Sequence, residues 1–299
     1  MASGTAISSF HVPTNREDLI DVVTNISPTE TPFLSSLGKV KATAAYHEWS
    51  TDSLAAATAN AHVEGADYSF AVRTTPSRDG NYAQTFRNFA EVTDLERELN
   101  PAGIDDMYAY QMAKAMKEQA RDMETALLGT GTGASGASGT ARELKGALAW
   151  ISTNAATAVL SGTGTGSPEY IFNTNLQNIW KEGGDPKVTY VDGSGKRLIS
   201  GFTASATKNV MASDKELVNA VDIYQSDFGT VKIVADRFMI ANKIFTVTPD
   251  LWKLAVVVPT RKIEAAKVAS TTRGVVETVA TLECRQEKGN GLVTTCLST

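Results

Sequence analysis

A segment of about fifty residues, 42–92, has too few apolar side chains to build a hydrophobic core of its own. Its stretch 54–61 is rich in alanine and threonine, and Gly65, Pro76 and Gly80 interrupt the rest. This pattern predicts a long two-stranded excursion. Because an isolated two-stranded ribbon is at best marginally stable in water, such a ribbon needs a surface outside itself to lie on.

The residues that follow predict one long, uninterrupted helix over 100–128. Asn100 fits an N-cap and Pro101 the first helical position. Apolar residues recur every three or four positions and form a single stripe, comprising Ile104, Tyr108, Met112, Met116, Ala120, Met123 and Leu127. At 1.5 Å per residue the helix would be roughly 40 Å long. It would give the ribbon a rigid base.

The N-terminal 41 residues predict an arm with one short helix. Thr14 and Glu17 form a capping box, and Ser27-Pro28 ends the helix. Its apolar face comprises Leu19, Ile20, Val22 and Val23. Thr31-Pro32-Phe33-Leu34 follows, and Phe33 is expected to anchor the arm.

The second half of the chain predicts a further helix and then mainly strands. Ser167 and Pro168 mark the helix start and Gly183 its end; it would bury Ile171, Phe172, Leu176, Ile179 and Trp180. Strands are expected at 188–191, 198–199, 218–224, 231–235, 244–247, 254–258 and 275–284, with a short helix at 206–212. The fold class is therefore predicted to be α+β.

The charge balance excludes one class of function. The chain carries 28 basic and 33 acidic residues, a net charge of −5, whereas a dedicated nucleic-acid binder needs a basic stripe to displace phosphate counterions. A protein that encloses nucleic acid without gripping it stays open. No secretory leader and no apolar run near the ~18 residues of a membrane span is present, so we expect a soluble, cytoplasmic product without a membrane partner.

No motif predicts a catalytic, cofactor or metal site. Residues 131–136 match a dinucleotide fingerprint through Gly131, Gly133 and Gly136, but the fingerprint works only between a strand and a helix. Here it follows the end of a helix, so we interpret it as a flexible linker. The string 193–196, Gly-Ser-Gly-Lys, lacks the remaining residues of a phosphate loop and is interpreted as a hairpin turn.

The remaining reactive residues are also scattered. His11, His47 and His62 do not converge on the spacing of a zinc site. The adjacent Asp105 and Asp106 favour helix-start chemistry over a carboxylate pair. The two cysteines, Cys284 and Cys296, are expected in one C-terminal hairpin as buried thiols rather than as a disulfide.

Several stretches resemble a known family. They are the 31–34 string Thr-Pro-Phe-Leu, the run 90–128 into the long helix, residues 221–229 with their continuation 231–239, and the closing strand 277–283. In this order they resemble the SU10-type major head proteins, a group within the HK97-like fold of tailed-phage major capsid proteins. The resemblance covers nearly the whole chain.

The resemblance implies an HK97-like division of the chain. Residues 1–41 would be the N-terminal arm, 42–92 the E-loop and 93–145 the P-domain with spine helix and glycine-rich loop. Residues 146–239 would be the mixed A-domain, and 240–299 C-terminal strands mostly of the P-domain. Tyr82, Arg73, Arg78, Phe33 and Phe86 are the candidate contacts between subunits.

The resemblance also implies a structural function without catalysis, cofactor or metal. Copies would self-assemble in the host cytoplasm into pentamers and hexamers of the icosahedral virion head that encloses double-stranded DNA, repelled by a mildly acidic lumen. A separate scaffold protein, a portal and decoration proteins are the expected partners. Two alternatives stay open: an encapsulin-like bacterial compartment shell, and a nucleotide-binding enzyme that uses the 131–136 loop.

Overall fold

The computed structural model describes residues 27–65, 67–68, 70, 73–99, 101, 103–159, 166–202 and 222–296. The helices are α1 (Pro32–Ser36), α2 (Asp94–Glu98), α3 (Met107–Leu127), α4 (Ala147–Trp150), α5 (Pro168–Lys181) and α6 (Gly193–Ser200). The strands are β1 (Gly38–Lys41), β2 (Tyr46–Thr51), β3 (Ser77–Tyr82), β4 (Gln84–Thr93), β5 (Thr132–Ala134), β6 (Glu143–Lys145), β7 (Ala155–Val159), β8 (Val188–Val191), β9 (Ile223–Ser226), β10 (Gly229–Ala235), β11 (Lys243–Val247), β12 (Trp252–Val268), β13 (Thr271–Cys284) and β14 (Gly291–Cys296). The helices predicted after Thr14 and at 206–212 lie outside the described residues.

A four-stranded sheet of order β1-β12-β13-β4 lies against the long helix. Strand β4 pairs antiparallel with β13 over ten residues, and its Phe86, Ala90 and Val92 are buried. Because the predicted ribbon spans residues 42–92, that prediction includes most of β4. The structure corrects that prediction, because the inward-facing residues of β4 pack on α3 and commit the strand to the sheet.

The long helix starts later than predicted. Asp106, not Asn100, is the N-cap, and its carboxylate accepts hydrogen bonds from the backbone N–H groups of Tyr108 (2.9 Å) and Ala109 (3.3 Å). Gly103 has a φ of +78°, a left-handed conformation that interrupts any helix. The 21 residues of α3 correspond to roughly 32 Å.

The buried face of α3 matches the predicted stripe at Tyr108, Met112, Met123 and Leu127 but differs from it in the middle of the helix. It comprises Tyr108, Met112, Ala115, Gln119, Met123, Glu124 and Leu127. Met116, predicted to be buried, is 45% exposed. Two polar residues, Gln119 and Glu124, lie on the buried face instead, and no apolar periodicity could have indicated them.

The second large sheet has six strands in the order β7-β14-β11-β8-β10-β9. Helix α5 packs beside it with Phe172, Leu176 and Ile179 buried. The predicted cap is confirmed, since the Ser167 hydroxyl accepts from the Tyr170 N–H. Trp180, however, is 56% exposed, so its predicted burial is wrong.

The segment after β8 is helical. We predicted a hairpin turn at 193–196 and a strand at 198–199, but Gly193–Ser200 forms α6. The physical reason is Asp192, whose side chain accepts a 2.8 Å hydrogen bond from the Gly195 N–H and caps the helix.

The two sheets share one core. Phe33 of α1 packs edge-on against Tyr190, Phe245 and Trp252, with ring centroids 5.3 to 6.3 Å apart. The predicted C-terminal hairpin is wrong, because Cys284 ends β13 in one sheet while β14 belongs to the other. Cys284 is a free, buried thiol, and burial raises its pKa.

Candidate assembly surfaces

The predicted ribbon is present and projects from the body. Strands β2 and β3 pair in register from Tyr46 opposite Tyr82 to Thr51 opposite Ser77. Beyond this register, the described residues of 52–76 form no helix or strand, and all of them are exposed. The part of the chain that the structure describes therefore offers this segment no packing surface.

The ribbon tip, defined here as residues 52–76, carries four large apolar side chains. Leu54 is 97% exposed, Val63 81%, Tyr68 90% and Phe70 93%. Single exposed apolar residues are ordinary on a protein surface, but several concentrated on one projecting segment indicate an interaction site. The ribbon tip is the strongest such feature of the described chain.

The base of the ribbon is fixed to the body by Asn81. Its side chain, 1% exposed, donates to the carbonyl oxygens of Lys145 (3.0 Å) and Leu282 (2.9 Å) and accepts from the Lys145 N–H (2.7 Å). These bonds join β3 to β6 and β13. The ribbon is therefore rigid where it leaves the body, although its tip is unsupported.

A second set of contacts holds β2. His47 Nε2 donates to Glu283 Oε2 at 3.0 Å, and Arg285 Nε donates to the other carboxylate oxygen at 2.7 Å. Burial alone would raise the pKa of Glu283, but these two hydrogen bonds lower it below its ordinary value. The ring of Trp49 packs against that of Trp150, with centroids 5.4 Å apart.

The five predicted contact residues fall into two groups. Phe33 and Phe86 are 1% and 6% exposed; they pack inside their own chain, so their prediction as subunit contacts is corrected. Arg73 and Arg78 are exposed on the ribbon, and Arg78 lies 3.6 Å from Glu48. The half-buried Tyr82 ring stacks at 4.6 Å from Tyr46. These last three residues stay candidate contacts.

Sequence reasoning missed a buried acidic pair. Glu124 of α3 and Asp236, just after β10, are both almost fully buried, and the neighbouring Asp236 contributes to the raised pKa of Glu124. Asp236 Oδ2 has no donor among the described residues. A second buried carboxyl group nearby favours the protonated, neutral form of Glu124.

The pair lies where the arm, the long helix and the six-stranded sheet meet. Burial and the neighbouring Asp236 raise the pKa of Glu124 to about 8, although hydrogen bonds from Leu34 and Phe33 oppose the shift. Tyr190, which donates to the Ser36 hydroxyl at 2.8 Å, faces the same pair, and burial raises its pKa. No local pattern could predict this site, because its members are far apart in the sequence.

A charged ladder crosses the four-stranded sheet. Glu277 of β13 stands between Arg87 of β4 and Arg261 of β12, and each guanidinium donates to a different carboxylate oxygen at 2.7 and 2.8 Å. Hydrogen bonds from Arg261 and Arg87 lower the pKa of Glu277. The ladder ties three strands together at one level.

In the described part of the chain, the geometry does not support nucleotide binding by residues 131–136. Gly131 follows the C-terminal end of α3, and β5 and β6 form a small ordered hairpin, so residues 131–136 are neither a phosphate-binding turn nor the flexible linker that we predicted. Leu144 of β6 is buried, which explains the order.

Metal-ligating side chains do not cluster in the part of the chain that the structure describes. No group of three or more His, Cys, Asp or Glu residues converges on a common point there. Within the same ranges, no helix is long and apolar enough to cross a bilayer. His11 lies outside these ranges, and Asp106 is the helix cap described above.

Comparison with known proteins decides the family. The model of the SU10 major capsid protein family matches residues 6–296. The chain belongs to the SU10 major capsid protein family. The major capsid protein of Escherichia phage Phieco32 is 30% identical over 129 residues, which cover 43% of this chain and 37% of that protein. The predicted resemblance is thereby confirmed.

Solved structures agree on the fold. A chain from Mycobacterium phage Bobi aligns with a TM-score of 0.67 at 12% identity, covering 98% of this chain and 100% of that one. The SrpI encapsulin of Synechococcus elongatus PCC 7942 aligns with a TM-score of 0.58 at 11% identity, covering 94% and 91%. At such identities the likeness concerns the fold alone. This family member has the HK97-like α+β capsid fold that we predicted.

Proposed function

We propose that this SU10-family chain is a major capsid protein whose copies assemble into the closed head of a phage particle around its double-stranded DNA. The observation that carries the proposal is the ribbon tip, where four large apolar side chains beyond a rigid base are 81% to 97% exposed. The family match, whose description is a major capsid protein, supports the same conclusion.

The physical mechanism is the sum of many modest contacts. A ribbon draped over a neighbour buries more area than a compact contact between two rounded bodies. A ribbon that docks on a different surface of the next copy makes a heterologous contact, and such contacts form a ring when the rotation from copy to copy closes. We propose pentamers and hexamers as those rings, with Arg73, Arg78 and Tyr82 among the contacts.

The same proposal implies further partners for the capsid protein. A separate scaffold protein would guide assembly in the host cytoplasm, a portal would occupy one vertex and decoration proteins would bind outside. The chain's net charge of −5 favours a shell interior that repels DNA and lets it slide. We propose that the protein is purely structural and carries out no catalysis.

Negative-stain electron microscopy of the purified, concentrated chain tests the proposal. We expect closed icosahedral shells. Small discrete particles at every concentration, even after the scaffold protein is added, would contradict the proposal. Shells that package a protein cargo instead of DNA in the host would support the encapsulin-like alternative.

The same preparation tests the ribbon. Replacing residues 52–76 with a two-residue Asn-Gly turn preserves the pairing of Thr51 with Ser77 and suits a tight hairpin. This variant should fold but fail to form shells. Normal shells from it would show that the ribbon is not the assembly element.

A further inference from the structure

The described residues of the body form an apolar groove. It has a volume of about 750 Å³ and lies between α1, β1, α3 and β12. Its walls include Leu34, Leu37, Met116, Ala120, Val257 and Pro259. Met116, the member of the predicted helix stripe that is 45% exposed, faces this groove. An apolar cleft of this size is typical of a site that buries a ligand.

We propose that the groove is the docking site of the chain's own residues 14–26. The sequence of this segment predicts an amphipathic helix, with Leu19, Ile20, Val22 and Val23 on its apolar face. An apolar helix face laid into an apolar groove is a common way to bind a peptide segment. The inference concerns a single chain and is independent of the proposed shell.

The position of the segment supports this occupant. It immediately precedes Ser27, and α1, which forms one wall of the groove, begins at Pro32. Leu34 lies seven positions after Ser27, a span of up to roughly 25 Å. Because the tether is short, the segment's effective concentration at the groove is high, in the millimolar range. An unlinked competitor would have to exceed that concentration.

The charges of the groove and of residues 14–26 independently support this segment as the occupant. The groove is lined by two cations, Lys39 and Lys41, and by no acidic residue. Both lysines are exposed, and neither forms an ion pair with another described residue. Residues 14–26 carry Glu17, Asp18 and Asp21 against a single Arg16. Opposite charges at the rim would orient the segment more than they would add affinity.

Cysteine cross-linking tests the inference on the full chain. In a C296S background, V23C is combined with M116C on the groove wall and, as a control, with K114C on the opposite side of α3. A short bismaleimide should link V23C to M116C with a yield on the order of ten-fold above K114C, as expected for a tethered site. The variant pair V23C and V257C repeats the test on β12, in case M116C fails to fold.

Mixing ¹⁴N- and ¹⁵N-labelled chains before cross-linking identifies the source of the segment. Links within one isotope support the inference, whereas mixed-isotope links would overturn it and assign the groove to another copy. Equal yields from the groove and control positions would also overturn it. The double variant K39E/K41E should lower the groove yield, and E17K/D21K should restore it.

Discussion

The side chain of Glu124 accepts a 2.8 Å hydrogen bond from the backbone N–H of Phe33. Its second oxygen accepts from the Leu34 N–H at 2.7 Å. Helix α1 has no cap from its own Thr31, so a residue of the distant α3 satisfies its first amide groups. One buried carboxyl group thus fixes the arm on the long helix.

This relationship predicts a pH-dependent stability. The unfolded chain has the ordinary Glu pKa of 4.5, whereas the folded pKa of Glu124 is about 8. Between these values the folded state holds a proton that the unfolded state lacks, so the free energy of unfolding falls as pH rises through this window. For one group, the fall is at most about 1.4 kcal/mol for each pH unit crossed.

E124Q should remove this slope, because glutamine stays neutral throughout. We expect the melting temperature of unassembled wild type to fall steadily, relative to that of E124Q, from pH 5 to pH 8. E118Q, an exposed site on the same helix, is the matched control and should follow wild type. A constant difference between wild type and E124Q across that range would contradict a protonated Glu124 in the folded protein.

Asn81 should be essential for the ribbon base. N81A leaves the backbone groups of Lys145 and Leu282 without their partners, which we expect to cost on the order of 2–3 kcal/mol, measured by chemical denaturation. N88A removes one exposed hydrogen bond to Asp122 and should cost under about 0.5 kcal/mol. Trypsin should also cleave N81A faster at Arg78. Equal losses in both variants would show that Asn81 does not anchor the ribbon.

The Glu277 ladder predicts an acid-sensitive sheet. Because its pKa is lowered in the folded state, its stabilising effect is present above pH 4.5 and disappears as pH falls below that value. E277Q should therefore lower the melting temperature by a few degrees at pH 7 and have little effect at low pH. E91Q, which removes an exposed pair with Arg273, should change little at either pH. A pH-independent effect of E277Q would contradict this role.

Substitution of Gly146 tests whether the hairpin of β5 and β6 is tightly packed. A Cβ atom at this position would overlap the backbone carbonyl oxygen of Gly129, and backbone cannot give way cheaply. G146A should cost about 1–3 kcal/mol in denaturation experiments. G193A, where a Cβ meets open space, should be nearly neutral. A neutral G146A would favour the flexible linker that the sequence predicts for this loop.

Local signals determined how much of the fold could be predicted. Helix α5 was predictable because Ser167 and Pro168 mark its start and glycines its end. The start of α3 was not, since Asn100-Pro101 has the better cap sequence and only the left-handed Gly103 excludes it. Helix α6 was missed because glycines near its start suggest a turn.

For the assembly surfaces, too, only features with a local sequence signal were predictable. The ribbon was predictable because its lack of apolar residues is a property of one continuous segment. Phe33 and Phe86 were misassigned because an aromatic residue beside an arm or ribbon looks the same in sequence whether it packs inward or outward. The Glu124–Asp236 pair depends on a contact between separate elements, which a single sequence does not reveal.

The central claim is that the exposed apolar residues of the ribbon tip hold neighbouring copies together. The most direct test compares shell formation, by sedimentation and electron microscopy, of L54S/V63S/Y68S/F70S with the control N60S/H62S/E64S/D67S, which alters four polar residues of the same segment. The account predicts a folded, unassembled protein from the first variant and normal shells from the second. Normal shells from both would contradict it.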